Sequence, residues 1–365
     1  MAQFAQRFGA TPSQIADVKS NLRTAGLSVG AVTANRLTLP VMGTVEQVEQ
    51  AFATSISEVR TAAGASAYVN AQAPALPRSL ADQVQAVVGL DDLTPEQPQD
   101  VELAAHPLRS RASAPHVLTG GPQPCAQAQA AARSPGGYPA DEIAYAYQLS
   151  GLYGGGDQGA GQTVALVELE PYVPTYVPTD IATYQSCYGT SVPVSNVDVD
   201  GGPGAPPATG DNEAALDIEQ VIGLAARASV LVYQAPDTAA AVTDVMSQIV
   251  SDDGAKVIST SWGACEAGAG AANVTSENTL LQEAATQGQS FFAASGDSGS
   301  AACYQFDHTK TGLSVANPSS QPFAIAVGAR LAANVRRHKV KRLTAVLLVK
   351  DQRDKSTVLI DGLKV

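Results

Sequence analysis

Aromatic and charged side chains are scarce in this chain. Phe, Trp and Tyr make up 5% of the 365 residues, with a single tryptophan, and charged residues only 15%. So few aromatic platforms argue against a carbohydrate-cleaving surface, as does having the two candidate acids on one helix instead of on opposite sides of a sugar. Long apolar runs are missing as well. Each is short and broken by Gly, Ser or a charge, so neither a membrane span nor a membrane partner is expected. Residues Met1–Gly9 lack the apolar core of a signal peptide. No CxxC pair exists among the four cysteines Cys125, Cys187, Cys265 and Cys303, so zinc is not expected and no metal ligand set is read. An even number of widely spaced cysteines fits disulfides in an exported protein, with three pairings open. Histidine is rare: His106, His116 and His338 fall outside the apolar segments. His308 lies in the loop Phe306–Lys310, so a Ser-His-Asp triad is not supported. Lys and Arg number 22 against 34 Asp and Glu, a net of −12, which argues against a nucleic-acid partner. A pI near 4.7 suits mildly acidic surroundings.

That charge balance hides a break. Ala329–Val365 holds 10 Lys or Arg against 3 acids, which leaves residues 1–328 with 12 basic and 31 acidic side chains, a net of −19. Four segments follow. Residues 1–100 read as an α+β unit: Thr11 opens a helix that ends at Gly26, Leu27–Leu39 alternates like two strands, and Thr44 with Gln47 forms a capping box for a helix to Phe52. Ile56–Val59 and Ser66–Val69 form a hairpin, and Pro77–Val84 is a short helix. Helices alternating with antiparallel strands suggest a ferredoxin-like arrangement. Residues 101–135 are a linker whose Arg109-Ser110-Arg111 is a natural place for a cut. Residues 136–328 alternate strands (Gln162–Glu168, Ala228–Tyr233, Val257–Trp262, Ser290–Ser295, Pro322–Val327) with helices (Gly210–Leu224, Ala240–Ser251, Asn273–Gln287). This implies an α/β fold with a parallel sheet covered on both faces. Residues 329–365 are a basic tail of different character.

The helix Gly210–Leu224 organises the second unit. Asp211 or Asn212 can cap it, and Leu216, Ile218, Val221, Ile222 and Leu224 supply an apolar face. Glu213 and Asp217 are four apart, so their carboxylates leave one face a turn apart and can share a proton. Taken alone, such a pair is more often solvated than catalytic. In a parallel sheet the working residues lie at the strands' carboxyl ends, where Ser261-Trp262-Gly263 and Gly296-Asp297-Ser298-Gly299 fall.

Four ordered motifs carry a resemblance: Glu213-x-x-x-Asp217, Ser259-Thr260-Ser261-Trp262-Gly263, Ala294-Ser295-Gly296-Asp297-Ser298-Gly299 and Pro318-Ser319-Ser320-Gln321-Pro322-Phe323. With Phe8–Thr11, Ala34–Val41 and Gln85–Asp91 in the first unit, the chain resembles the sedolisins, or serine-carboxyl peptidases, with their activation propeptide. The resemblance implies a subtilisin-like domain, here truncated, and acid-active cleavage of polypeptides. By it, Glu213 is the general base, Asp217 holds and tunes Glu213, and a protonated Asp297 donates to the oxyanion. Glu168 and Trp262 extend the carboxyl network, and Ser261, Trp262 and Gly263 form the edge that pairs with substrate. The resemblance further implies pairings Cys125–Cys187 and Cys265–Cys303, an extracellular setting, the propeptide as intramolecular inhibitor, and calcium bound near the family's C-terminus.

The chain also departs from the pattern. The family's nucleophile sits in Gly-Thr-Ser-x-x-x-Pro, C-terminal to the aspartate matching Asp297, and no such motif follows here. Gly189-Thr190-Ser191 precedes Glu213, and its Pro193 stands two residues on instead of four, so it reads as a chance match. The family's calcium loops are expected to be gone too. The expectation is a peptidase zymogen by descent that is inactive as it stands, or else a non-catalytic peptide-binding or inhibitory protein of the same fold. Loss of the C-terminal strands should leave a sheet edge exposed, which Leu343–Val349 could cover in part.

Overall fold

A computed structural model describes residues 2–328 apart from 62–63, 65, 94–95, 100–117, 132–137, 170–174, 204–212 and 239, and by backbone alone 346–350 and 357–359. The expected cut site Arg109–Arg111, the caps Asp211 and Asn212, and His106, His116 and His338 lie outside the described residues.

The first unit forms its helices where capping chemistry starts them. Thr11 caps the helix Pro12–Thr24 and Thr44 caps Val45–Phe52, each returning a hydrogen bond with a glutamine three residues on. Leu22, Leu27, Phe52 and Leu90 close its small core. Its strands stay as two separate antiparallel pairs, β1 (Ser28–Val29) with β2 (Val41–Met42) and β3 (Ile56–Arg60) with β4 (Ser66–Asn70). The two strands expected within Leu27–Leu39 shrink to β1 because Thr33–Thr38 folds into a turn: Thr33 Oγ1 donates to Thr38 O, and Arg36 takes a positive φ of 62°. The turn buries Asn35, whose amide donates to Glu283 Oε2 at 2.8 Å in the second unit. Farther on, β5 (Gln97–Pro98) leaves the first unit altogether.

The second unit is built on β6 (Thr163–Glu168), β7 (Val194–Asp198), β8 (Ser229–Gln234), β9 (Val257–Thr260), β10 (Trp262–Cys265), β11 (Ser290–Ala294), β12 (Ala316–Asn317) and β13 (Ala324–Gly328). Six strands lie parallel in the order β13-β11-β9-β6-β8-β7. Helices Ala241–Asp252 and Ala271–Thr286 pack one face through Val245, Met246, Ile249, Leu280 and Leu281. Helices Pro178–Tyr188 and Glu213–Leu224 pack the other through Ile181, Ile218 and Ile222. Strands covered on both sides are apolar throughout, as in Val164-Ala165-Leu166-Val167, and this is why the sheet could be read from sequence. This is the subtilisin-like α/β arrangement with helices on both faces. The outer edge of β13 takes two further antiparallel strands, β14 (Val346–Lys350) and β15 (Thr357–Leu359). Thus Val346–Val349, the described part of the run Leu343–Val349, supplies backbone to the open edge.

The strand expected over Val257–Trp262 is cut in two. β9 ends at Thr260, where Thr260 Oγ1 accepts the Trp262 amide at 3.1 Å, and β10 continues in a different sheet, ordered β12-β10-β5. Ser261 sits at the break, and the break sets the site's geometry.

Candidate active site

Three neighbouring strands, β6, β9 and β11, deliver their carboxyl ends to one edge of the sheet. Glu168 ends β6, Ser261 and Trp262 follow β9, and Gly296-Asp297 follows β11. The helix Glu213–Leu224 brings Glu213 in its first turn, buried, and Asp217 one turn on. Ser261 Oγ donates to the Asp217 carboxylate and stands 2.9 Å from each of its oxygens. Burial pushes the Asp217 carboxyl up to about 6, and the Ser261 hydrogen bond pulls it partly back. Trp262 Nε1 donates to Glu168 Oε2 at 3.0 Å, with both side chains buried. Asp297 is exposed in its turn, where Gly296 has φ of +77°.

Sequence reasoning gave Ser261 a role only through its backbone. Its hydroxyl on Asp217, 44 residues away, has no local signal. Replacing it tests the contact: Ser261→Ala should raise the Asp217 pKa further above 6, by about one unit for one lost hydrogen bond. Carboxyl-carbon NMR titration reads this, and an unchanged midpoint would remove Ser261 from the account.

The edge expected to pair with a peptide is paired. β5 lies antiparallel on β10, with Pro98 opposite Trp262 and Gln97 opposite Gly263. The ladder continues in Gln99 N–H donating to Ser261 O at 2.7 Å. Farther from the site the two units meet through Asn35–Glu283, through Ser247 Oγ donating to Thr38 Oγ1 at 2.9 Å, and through Gln85 Nε2 donating to Thr279 Oγ1 at 2.9 Å. Glu96, just before β5, is buried, and that burial together with the nearby Glu277 and Asp237 holds its carboxyl well above the usual range. Both disulfides form as the resemblance implied, Cys125–Cys187 and Cys265–Cys303. Among the described residues no group of three or more His, Cys, Asp or Glu could hold a metal ion. Calcium enters no step below. No helix among the described residues is long and apolar enough to cross a membrane.

Residues 1–93 match the family described as Pro-kumamolisin, activation domain, and residues 206–350 match the Subtilase family. The second match runs past residue 328, where the change in charge had set the end of the domain. The chain is 31% identical to kumamolisin of Bacillus sp. (strain MN-32) over 344 residues, covering 92% of this chain and 57% of the relative. Against sedolisin of Pseudomonas sp. (strain 101) it is 30% identical over 336 residues, covering 89% and 53%. Against xanthomonalisin of Xanthomonas sp. (strain T-22) it is 29% identical over 357 residues, covering 90% and 40%. The chain thus spans about half the length of the curated relatives it matches. A solved structure of Pseudomonas sedolisin (serine-carboxyl proteinase), complexed with two molecules of pseudo-iodotyrostatin, superposes with a TM-score of 0.41 at 30% identity. That superposition covers 46% of this chain and 48% of the other.

Proposed function

We propose that the chain is a sedolisin-type serine peptidase zymogen by descent, whose peptide groove is built and self-occupied, and that these 365 residues do not cleave by themselves. The observation that carries this reading is the strand β5, seated antiparallel on β10 beside the Ser261–Asp217 contact. A peptide that adds a strand to an exposed edge gains main-chain hydrogen bonds whatever its sequence. Here the occupant is the segment that follows the activation unit, which acts as an intramolecular inhibitor.

In the family's chemistry Glu213 takes the proton of an attacking serine. Asp217, half-buried and holding a hydrogen bond from Ser261, keeps Glu213 in its working state, and Asp297 donates to the oxyanion once substrate covers its turn. By the same resemblance Glu168 and Trp262, hydrogen-bonded to each other, extend the carboxyl network. A carboxylate base works at lower pH than imidazole, so a complete enzyme of this design is acid-active. Within these 365 residues no Gly-Thr-Ser-x-x-x-Pro follows Asp297, and this supports the non-cleaving reading. Without the nucleophile little beyond background catalysis remains. The two disulfides support an extracellular setting.

The test is a peptide-cleavage assay on the purified chain across acid and neutral pH. No turnover is expected at any pH, and digestion of casein in mild acid would overturn the inactive reading. A peptide-binding titration then separates an inert zymogen from a peptide-binding protein, the second reading that the filled groove favours. Joining a C-terminus that carries the nucleophile motif is expected to restore acid endopeptidase activity.

A further inference from the structure

Of the segment that fills the groove, Gln97 is exposed and Pro98 is half-buried, while Gln99 is 6% exposed. In strand addition the ladder holds any peptide, and the pockets beneath alternate side chains choose among them. The selective position is therefore Gln99. Its Nε2 donates to Gly263 O and to Gln97 O, each at 3.0 Å. Its Oε1 has no hydrogen-bond partner among the described residues, so the side chain is recognised through its amide hydrogens.

The walls of the pocket are glycine. A Cβ on Gly296 would lie 2.8 Å from Gln99 Oε1, and one on Gly263 would lie 3.3 Å from Gln99 Cγ and Cδ. Any other residue at either place would intrude on the space the side chain occupies. The floor is held by Gln305, whose Nε2 donates to Pro98 O at 2.6 Å and so fixes the peptide bond that leads into Gln99.

We propose that this groove selects glutamine at the residue whose amide pairs with the Ser261 carbonyl, so that Gln99 is a specimen of the preferred peptide and not a filler. This rests on the reading of the groove as a peptide site. The chemistry is direct. A glutamate of the same length brings oxygens to the Gly263 carbonyl and no hydrogen to give it. A leucine leaves that carbonyl buried and unpaired. An asparagine is one methylene short of it.

The test uses the full chain carrying Gln99→Ala, with hexapeptide amides of the sequence at residues 94–99 (Thr-Pro-Glu-Gln-Pro-Gln) whose last residue is Gln, Glu or Leu. Trp262, the single tryptophan, lies against this segment and reports its occupancy by fluorescence. The glutamine peptide is expected to bind about tenfold more tightly than the other two, as one buried hydrogen bond to a carbonyl provides. In the full chain without peptide, Gln99→Glu and Gln99→Leu are expected to speed hydrogen exchange at the residue 99 amide about tenfold. Equal binding of all three peptides would overturn the selectivity and leave the groove reading standing. If none of the peptides binds and Gln99→Ala leaves Trp262 unchanged, the groove reading falls and this inference with it.

Discussion

The melting temperature of the full chain is expected to fall by on the order of 10 °C between pH 4 and pH 8. Five carboxyls set the direction, Glu277 and Glu283 buried and Asp217, Asp237 and Asp244 half-buried. Burial raises Asp217 to about 6 and raises Asp237, Asp244, Glu277 and Glu283 to about 7. Asp200 adds to the effect on Asp244, while hydrogen bonds from Asn317 and Asn35 pull Glu277 and Glu283 partly back. A carboxyl whose pKa is higher folded than unfolded binds its proton more tightly in the native state. The stability this gives is fully present below the unfolded value near 4 and is lost as pH rises through 6 to 7. One pKa unit is about 1.4 kcal/mol, and solvent screening reduces each shift, so the five together amount to several kcal/mol. At about 2–4 °C per kcal/mol for a chain of this size, that gives the stated fall. Glu277 lies near Glu96, so ionising it sets like charges against each other and part of the loss is weaker docking of the activation unit on the second. Calorimetry across the range measures it. A melting temperature that stays flat or rises with pH would show that these acids are solvated in the native state. Glu277→Gln should flatten the curve in part without reversing it.

The parallel sheet could be read from sequence because burial on both faces leaves apolar runs with little else in them, as at Val164–Val167 and Ser290–Ala294. The two capping boxes were legible for a different reason, since their chemistry is local. Elements held by distant partners escaped. β5 is two residues long and contains a proline, and only its place on β10 makes it a strand. β7, Val194–Asp198, alternates weakly and is stabilised by its position at the sheet's edge beside β8. The helix Pro178–Tyr188 has its apolar residues poorly sorted onto one face, so its period gave no signal. The helix expected over Pro77–Val84 is one turn, Arg78–Ala81. The break at Ser261 lies inside a run that reads as one strand, because the competing sheet that captures Trp262 is drawn from residues 97–98 and 316–317. The site divides the same way. Motif order placed Glu168, Asp217, Ser261 and Trp262 at one edge of the sheet, but the Ser261–Asp217 hydrogen bond depends on where two separate elements end.

Removing the disulfide Cys265–Cys303 by double serine substitution is expected to cost about 4 kcal/mol, the chain entropy of a loop of this length. The bond spans 38 residues and joins the end of β10 to the short helical turn Ala302–Tyr304 beyond the Asp297 loop. It therefore fastens one wall of the groove to the other: β10 carries Trp262 and Gly263, and the segment after β11 carries Gly296, which faces Gln99, and Gln305, which holds the Pro98 carbonyl. The other bond, Cys125–Cys187, spans 62 residues and ties the start of the helix Ala126–Ala131 to the end of Pro178–Tyr188, away from the groove. Loop entropy predicts a comparable loss of stability for either pair. The readout at Trp262 should differ. Without Cys265–Cys303 the tryptophan becomes more open to quencher under native conditions, because β10 loses its anchor and β5 loses the floor supplied by Gln305. Without Cys125–Cys187 it should stay shielded until the whole chain unfolds. Urea titrations followed by both circular dichroism and Trp262 emission separate the cases. If both variants expose Trp262 equally, the groove is held by the core of the sheet, and the disulfide contributes only to global stability.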